Sequence, residues 1–268
     1  MAKNPAKDVA RESRNSPPMR FLARTGFAVS GLLHILIGFI AISVALGSGR
    51  EADQTGALGQ LASTPGGVFV LWTITVGLAA LGVWLILGAF LVSTGDPKKR
   101  TSRIVSEVAK GAFYLVVAGT AFTFARGSST STASRSRNAS AGLLAAPGGP
   151  AIVMLLGLIV FGIGIFFVAK GASRRFARDI RVPTGPSGTA VISLGVFGYV
   201  ATGVSLGVVG VLFAIAAFTF DPSKATGLDS GLKTLATLPF GQVILIIVGA
   251  GFIAYGLYGF ARARLARL

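Results

Sequence analysis

Long uncharged runs divide this chain. No charged residue falls between Asp53 and Asp96, none between Arg137 and Lys170, and only Asp221 and Lys224 interrupt the run from Arg181 to Asp229. A helix needs about 20 mostly apolar residues to cross roughly 30 Å of hydrocarbon. The windows that meet this requirement predict helices near 25–47, 66–94, 106–126, 149–170, 190–219 and 239–261. The third has the shortest uncharged core, Gly111 to Ala125, so Lys110 and Arg126 are expected to reach toward the interfaces. Glu107 and Lys110, three apart, are placed to pair at that helix's basic end.

The apolar segments repeat. The first opens with Gly26-Phe27 and carries Gly31 and Gly38; the fifth opens with Gly198-Tyr199 and carries Gly203 and Gly210 at the same offsets. The third, opening at Gly111, fits less well. The intervening loops agree at their exits: Leu61-Ala62 before Pro65 and Gly67, Leu143 before Pro147 and Gly149, and Leu235-Ala236 before Pro239 and Gly241. Each proline is expected to start a helix, since the first turn has no use for its missing N–H. The chain thus reads as a tail, 1–20, followed by three two-helix repeats over 21–96, 104–172 and 190–264. Repeats that all insert the same way up imply a pseudo-threefold or sequential arrangement of hairpins. Apolar residues at helical spacing, Ala57, Leu58, Leu61 and Ala62, then Leu232, Leu235 and Leu238, predict a short surface helix in the first and third loops. The Ser/Thr-rich stretch from Ser128 to Ser140 reads instead as a flexible linker.

Composition agrees with a membrane protein. Over 268 residues, 52% are hydrophobic and 13% charged, and the mean hydropathy is +0.73, outside the range of soluble domains. The net charge of +16 raises nucleic acid as a partner, but the basic residues follow topology. Nineteen of the 25 sit in the N-terminal tail (Lys3 to Arg24), the second-to-third connection (Lys98 to Lys110), the fourth-to-fifth (Lys170 to Arg181) and the C-terminus (Arg262 to Arg267). The positive-inside rule then puts both termini in the cytoplasm. Arg126, Arg135 and Arg137 run against the trend. The basic ends are expected to meet anionic lipid headgroups; the tail, with Pro5, Pro17 and Pro18, reads as disordered and lacks the aromatics of a nucleic-acid-binding segment. The first apolar segment is not read as a signal peptide, because it is too long and its pattern recurs within the chain.

The stretches Gly-Leu-Leu-His from Gly31, Ala-Asp-Gln-Thr-Gly-Ala-Leu from Ala52 and Phe-Asp-Pro-Ser-Lys-Ala-Thr-Gly-Leu-Asp from Phe220 resemble the bacterial membrane family known as domain of unknown function 1206. Leu-Ala-Thr-Leu-Pro-Phe-Gly from Leu235 and Gly-Leu-Tyr at Gly256 fit as well. The resemblance implies three two-helix repeats and no particular activity. It also implies an arginine just before the glycine aligning with Gly31 and Gly203, where Ser30 and Thr202 stand here.

His34 is the only ionisable side chain well inside a predicted span, which makes it a functional candidate. It shares a stripe with Gly26, Ser30 and Gly38 and is expected to face protein. A neutral imidazole bonded between helices is the plain reading; proton transfer or contact with a polar solute is the sharper one. Without cysteine, a second histidine or a buried carboxylate beside it, neither a metal nor a haem site is expected, and no cofactor. Asp53, Gln54, Asp221 and Asp229 are candidates for a surface cation or partner site, against the simpler reading of caps and turns. Gly203 and Gly207 have the GxxxG spacing of tight helix pairs, and Trp72 and Trp84 read as interface and packing residues. Two function classes follow. One is a non-enzymatic structural or accessory membrane component with a protein partner or a second copy; the other is a small channel or transporter for a neutral or weakly polar solute.

Overall fold

A computed structural model describes residues 17–47, 52–90 and 97–266. Among them are nine α-helices and no strand: α1 (Pro17–Ala45), α2 (Gln54–Ala62), α3 (Gly67–Phe90), α4 (Pro97–Ala125), α5 (Thr132–Ala145), α6 (Gly149–Ala172), α7 (Pro186–Thr219), α8 (Leu228–Thr237) and α9 (Gly241–Leu265). Short 3₁₀ turns cover Arg175–Asp179 and Pro222–Lys224. Six helices, α1, α3, α4, α6, α7 and α9, are long and apolar enough to cross a membrane. The protein is an all-α, multi-pass membrane protein, as the hydropathy pattern required. A helix satisfies its own backbone in hydrocarbon, where no water is present to do so.

The helices match the expected ones, with three corrections. α1 and α4 begin earlier than their apolar cores, at Pro17 and Pro97, because a proline opens a helix at no hydrogen-bonding cost. Residues 17–20 of the expected disordered tail are therefore helical; residues 1–16, and 91–94 of the expected second helix, lie outside the described residues. The Ser/Thr-rich second loop is not a linker. Ser131 accepts a hydrogen bond from the Ser134 N–H at 3.3 Å and caps α5, as serine does at an N-cap. Leu143 and Leu144 then anchor the helix on Val153, Ala216, Ala217 and Ala225. Each repeat thus has a short helix in its loop, α2, α5 and α8.

The three prolines do not start helices; they make turns. Gly67, Gly149 and Gly241 donate their N–H to the carbonyls of Thr64, Ala146 and Leu238, at 2.8, 2.9 and 2.7 Å. The third turn residue is left-handed: Gly66 at φ +77°, Gly148 at +74°, and in the third repeat Phe240 at +59°. Proline followed by glycine is the sequence of a type II turn. Phe240 departs from it and is 84% exposed. A non-glycine residue pays about 1–2 kcal/mol in this region, so Phe240→Gly is expected to raise the thermal midpoint in detergent by the equivalent of roughly 1 kcal/mol. A lowered midpoint would show that the ring's apolar contacts outweigh the backbone strain.

Contacts divide the chain into two compact units. One holds residues 17–30, 61–90, 97–129 and 259–266 and is built around α3 and α4. Its core is Phe27, Leu81, Trp84, Leu85 and Ala266, with the Arg262 guanidinium 4.4 Å from the Phe27 ring. Trp72 packs edge-on to Phe122 at 5.6 Å, so both tryptophans serve packing. Lys110 and Glu107 form the expected pair at 3.2 Å. The other unit holds residues 31–47, 52–60 and 130–258, with α6 and α7 as its largest helix pair.

Glycines set how the helices cross. In the first unit, a Cβ on Gly82 of α3 would stand 2.8 Å from the Gly111 carbonyl oxygen of α4, and one on Gly111 2.8 Å from that of Gly82. In the second, Gly164 and Gly203 face each other in the same way at 2.7 and 2.6 Å, and Gly157 and Gly210 at 2.8 and 2.7 Å, across α6 and α7. Gly249 of α9 meets Gly38 of α1, with Gly256 against the carbonyl of Gly31. Reciprocal contacts of this kind place each Cα–H against a carbonyl of the neighbouring helix, a weak hydrogen bond that requires backbones in contact. In terms of repeats, the second helix of each crosses the first helix of the next, and the third repeat returns to the first. Gly82, Gly164 and Gly256 hold the same offset from Gly67, Gly149 and Gly241, so their partners Gly111, Gly203 and Gly31 are equivalent. The poor fit of the third span thus came from its register: Gly111 matches Gly31 and Gly203, not the opening Gly26 and Gly198.

Candidate functional site

The loop segments place most of the candidate carboxylates in one polar cluster. Asp53 is 1% exposed and caps α2: its Oδ1 accepts from the Thr55 hydroxyl at 2.6 Å and the Gly56 N–H at 2.9 Å. Thr55 Oγ1 in turn accepts from the Thr132 N–H at 3.3 Å, which ties the first loop to α5. On α5, Ser136 and Ser140 donate to the Ala225 carbonyl at 2.7 and 3.4 Å, which ties the second loop to the third. Asp229, 5% exposed in the first turn of α8, accepts the Ala52 N–H at 2.9 Å through Oδ1 and Lys233 at 2.8 Å through Oδ2. That bond returns the third loop to the first. Gln54 opens α2 half-buried, while the cluster's bonds run through its neighbours Asp53 and Thr55.

Asp221 lies at the edge of this cluster. Its carboxylate accepts the Ser223 N–H at 2.9 Å and caps the 3₁₀ turn that leads to Ala225. Hydrogen bonds from Ser223, side chain first and then backbone, hold its carboxyl below the ordinary aspartate value of 3.8, with Lys224 and Arg137 adding to the effect. A depressed folded-state pKa makes the cap's charge-dependent contribution fully present above pH 3.8 and lost as pH falls through the depressed value. The thermal midpoints of wild type and Asp221→Asn are therefore expected to converge on acidification below pH 3.8. A gap independent of pH would mean that the charge plays no part.

His34 belongs to a different cluster. It is half-buried on α1, its ring 4.8 Å from Tyr255 and 6.2 Å from Phe252 of α9. The expected stripe does face protein, but it meets two helices: Gly26 lies against Leu81 of α3, and Gly38 against Gly249 and Ile253 of α9. Ser30, on the same stripe, is buried. From Tyr255 the rings continue to Tyr199 at 5.1 Å, and Tyr199 stacks on Phe176 at 5.1 Å. Tyr258 meets Phe176 edge-on at 5.2 Å. Lys170 stands 5.3 Å above the Tyr199 ring and pairs with Asp179 at 2.8 Å. Sequence reasoning missed this array. Its signal was that three of the chain's four tyrosines fall on two helices of one repeat; Phe176, fully buried, gave none, because it sits among arginines.

Chemically, the loop cluster is a set of caps and cross-links, and the His34 cluster is a stack of rings around helix crossings. Among the described residues no three or more His, Asp or Glu side chains come together as metal ligands do. The GxxxG pair of α7 packs tightly on α6: a Cβ on Gly164 would stand 2.7 Å from both the Gly203 oxygen and the Gly207 nitrogen, although a Cβ on Gly207 itself would have nothing nearer than 4.0 Å.

Comparison with known proteins bears on the same segments. Residues 25–91, 105–174 and 197–266 each match the family described as Domain of Unknown Function (DUF1206). The chain is also 31% identical over 255 residues to "Uncharacterized protein YxxB" of Bacillus subtilis (strain 168), covering 92% of this chain and 91% of that protein. No solved structure matches it significantly.

Proposed function

The chain belongs to the DUF1206 family, and from that premise we propose that it is a non-enzymatic structural or accessory component of a bacterial plasma membrane. On this reading its basic helix ends and both termini face the cytoplasm, and α2, α5 and α8 lie on the outer side. The observation that carries it is where the polar groups go. The buried carboxylates Asp53 and Asp229 accept loop N–H groups, and the buried hydroxyls of Thr55 and Ser140 link one loop to the next. Within the spans, glycine backbones hold the crossings. Such an arrangement spends its chemistry on keeping three repeats in register, which suits a scaffold for a protein partner or a second copy, seated among anionic headgroups.

Gentle solubilisation after crosslinking in intact cells tests this. A partner or a second copy is expected to co-purify in constant ratio. A chain that runs alone would count against the proposal, and so would solute flux in proteoliposomes that His34→Ala abolishes.

A further inference from the structure

Between α6 and α7 runs an apolar groove of about 570 Å³, lined from Ala169 on α6 to Ile215 on α7 and closed at its far end by Thr234 of α8. Its floor includes Gly203 and Gly207. The Gly207 backbone packs on Gly164, where a Cβ would stand 2.7 Å from the Gly207 nitrogen, but a Cβ on Gly207 itself would have nothing nearer than 4.0 Å; its missing side chain deepens the groove. The rim is Phe161, Ile165, Val204 and Val211, all large and exposed. Along α7 the lining from Gly203 to Ile215 extends about 18 Å at the helical rise, close to the roughly 15 Å depth of one leaflet of hydrocarbon.

The end of the groove at Ala169 is basic. The Ser173 N–H bonds back to the Ala169 carbonyl, and exposed Arg174 and Arg175 follow directly. Lys170 is engaged with Asp179; among the described residues neither Arg174 nor Arg175 is in a salt bridge. A guanidinium takes a phosphate through two parallel N–H bonds. We propose that this groove binds a single anionic phospholipid, an acyl chain lying over Gly207 and the phosphate on Arg174 and Arg175. The inference rests on the membrane-component reading but gives it a specific lipid. A partner helix would fill the apolar groove equally well, but it would not call for two cations at one end.

The full chain is reconstituted into vesicles of equal parts phosphatidylglycerol and phosphatidylcholine and extracted in mild detergent, and retained lipid is counted by native mass spectrometry. Retained phosphatidylglycerol is expected to exceed phosphatidylcholine by about fivefold or more. R174Q/R175Q is expected to abolish the preference while still retaining lipid, and G207L to lose both lipids. R135Q/R137Q, which removes the same charge from the loop end, is expected to match wild type. Equal retention of the two lipids by wild type, a preference that survives R174Q/R175Q, or retention that survives G207L would overturn the proposal. A second copy of the chain held in place of lipid would overturn it too. The arginine pair lies outside the helix crossings, so that arm stands even if G207L folds poorly. Failure here leaves the co-purification result untouched, which keeps the two proposals separable.

Discussion

Replacing Gly210 with leucine is expected to break the α6–α7 crossing, whereas the same change at Gly207, one turn away, leaves the fold intact. A Cβ on Gly210 would stand 2.5 Å from the Phe161 nitrogen and 2.7 Å from the Gly157 oxygen. Both are main-chain atoms, so relief requires the helices to part. In a bilayer no hydrophobic force drives helices together, and close van der Waals contact does most of that work. Separation also forfeits the Cα–H···O contacts at both glycine pairs. The cost is roughly 3 kcal/mol, at the upper end for overpacked interiors. At Gly207 the nearest atoms are those of the Phe161 ring at 4.0 Å, and the leucine extends into the groove. Thermal midpoints by size exclusion in detergent are expected to fall for Gly210→Leu and stay near wild type for Gly207→Leu. Equal effects would mean that glycine contacts do not determine the crossing.

That contrast marks how far the sequence could be read. The six spans were legible because hydrocarbon thickness imposes a length and a composition that hydropathy reports directly. The repeat was legible through Pro65, Pro147 and Pro239, since each loop leaves through the same turn. What each glycine does was not. Gly203, Gly207 and Gly210 look alike in the chain, and only the position of α6 separates the two that leave no room for a Cβ from the one whose Cβ would open into the groove. The register of Gly111 was hidden for the same reason, because its identity with Gly31 and Gly203 lies in what they touch. The second loop misled on composition: serine and threonine favour linkers when solvated, yet Ser131, Ser136 and Ser140 spend their hydroxyls on a cap and on Ala225. Of the candidate site, the capping roles of Asp53 and Asp221 were readable from local pattern. The bond from Asp229 to Ala52 joins residues 177 apart and leaves no local trace.

Asp229→Ala is expected to produce the largest loss among the loop residues, for that reason. Asp229 is 5% exposed, and Ala52, whose N–H it accepts, is fully buried. Truncation leaves that N–H without its acceptor, at a cost of about 1–3 kcal/mol. The damage should spread along the network: once Ala52 is released, the α2 cap at Asp53 and Thr55 loosens, and with it the bond from Thr132 to Thr55. Hydrogen exchange is expected to speed up at Gly56 and Thr132 as well as at Ala52, while amides within α6 and α9 keep their protection. Asp229→Asn separates the two roles, because the amide oxygen still accepts from Ala52 while the charge facing Lys233 is lost. Lys233 is 43% exposed, and an ion pair so open to solvent contributes at most about 1 kcal/mol. The expected order of stability is therefore wild type, then Asn, then Ala. If Asn were as damaging as Ala, the ion pair would be the active element. If Ala matched wild type, the loop helices would hold their places without the cross-links, and the coupling of the three repeats would rest on the glycine crossings alone.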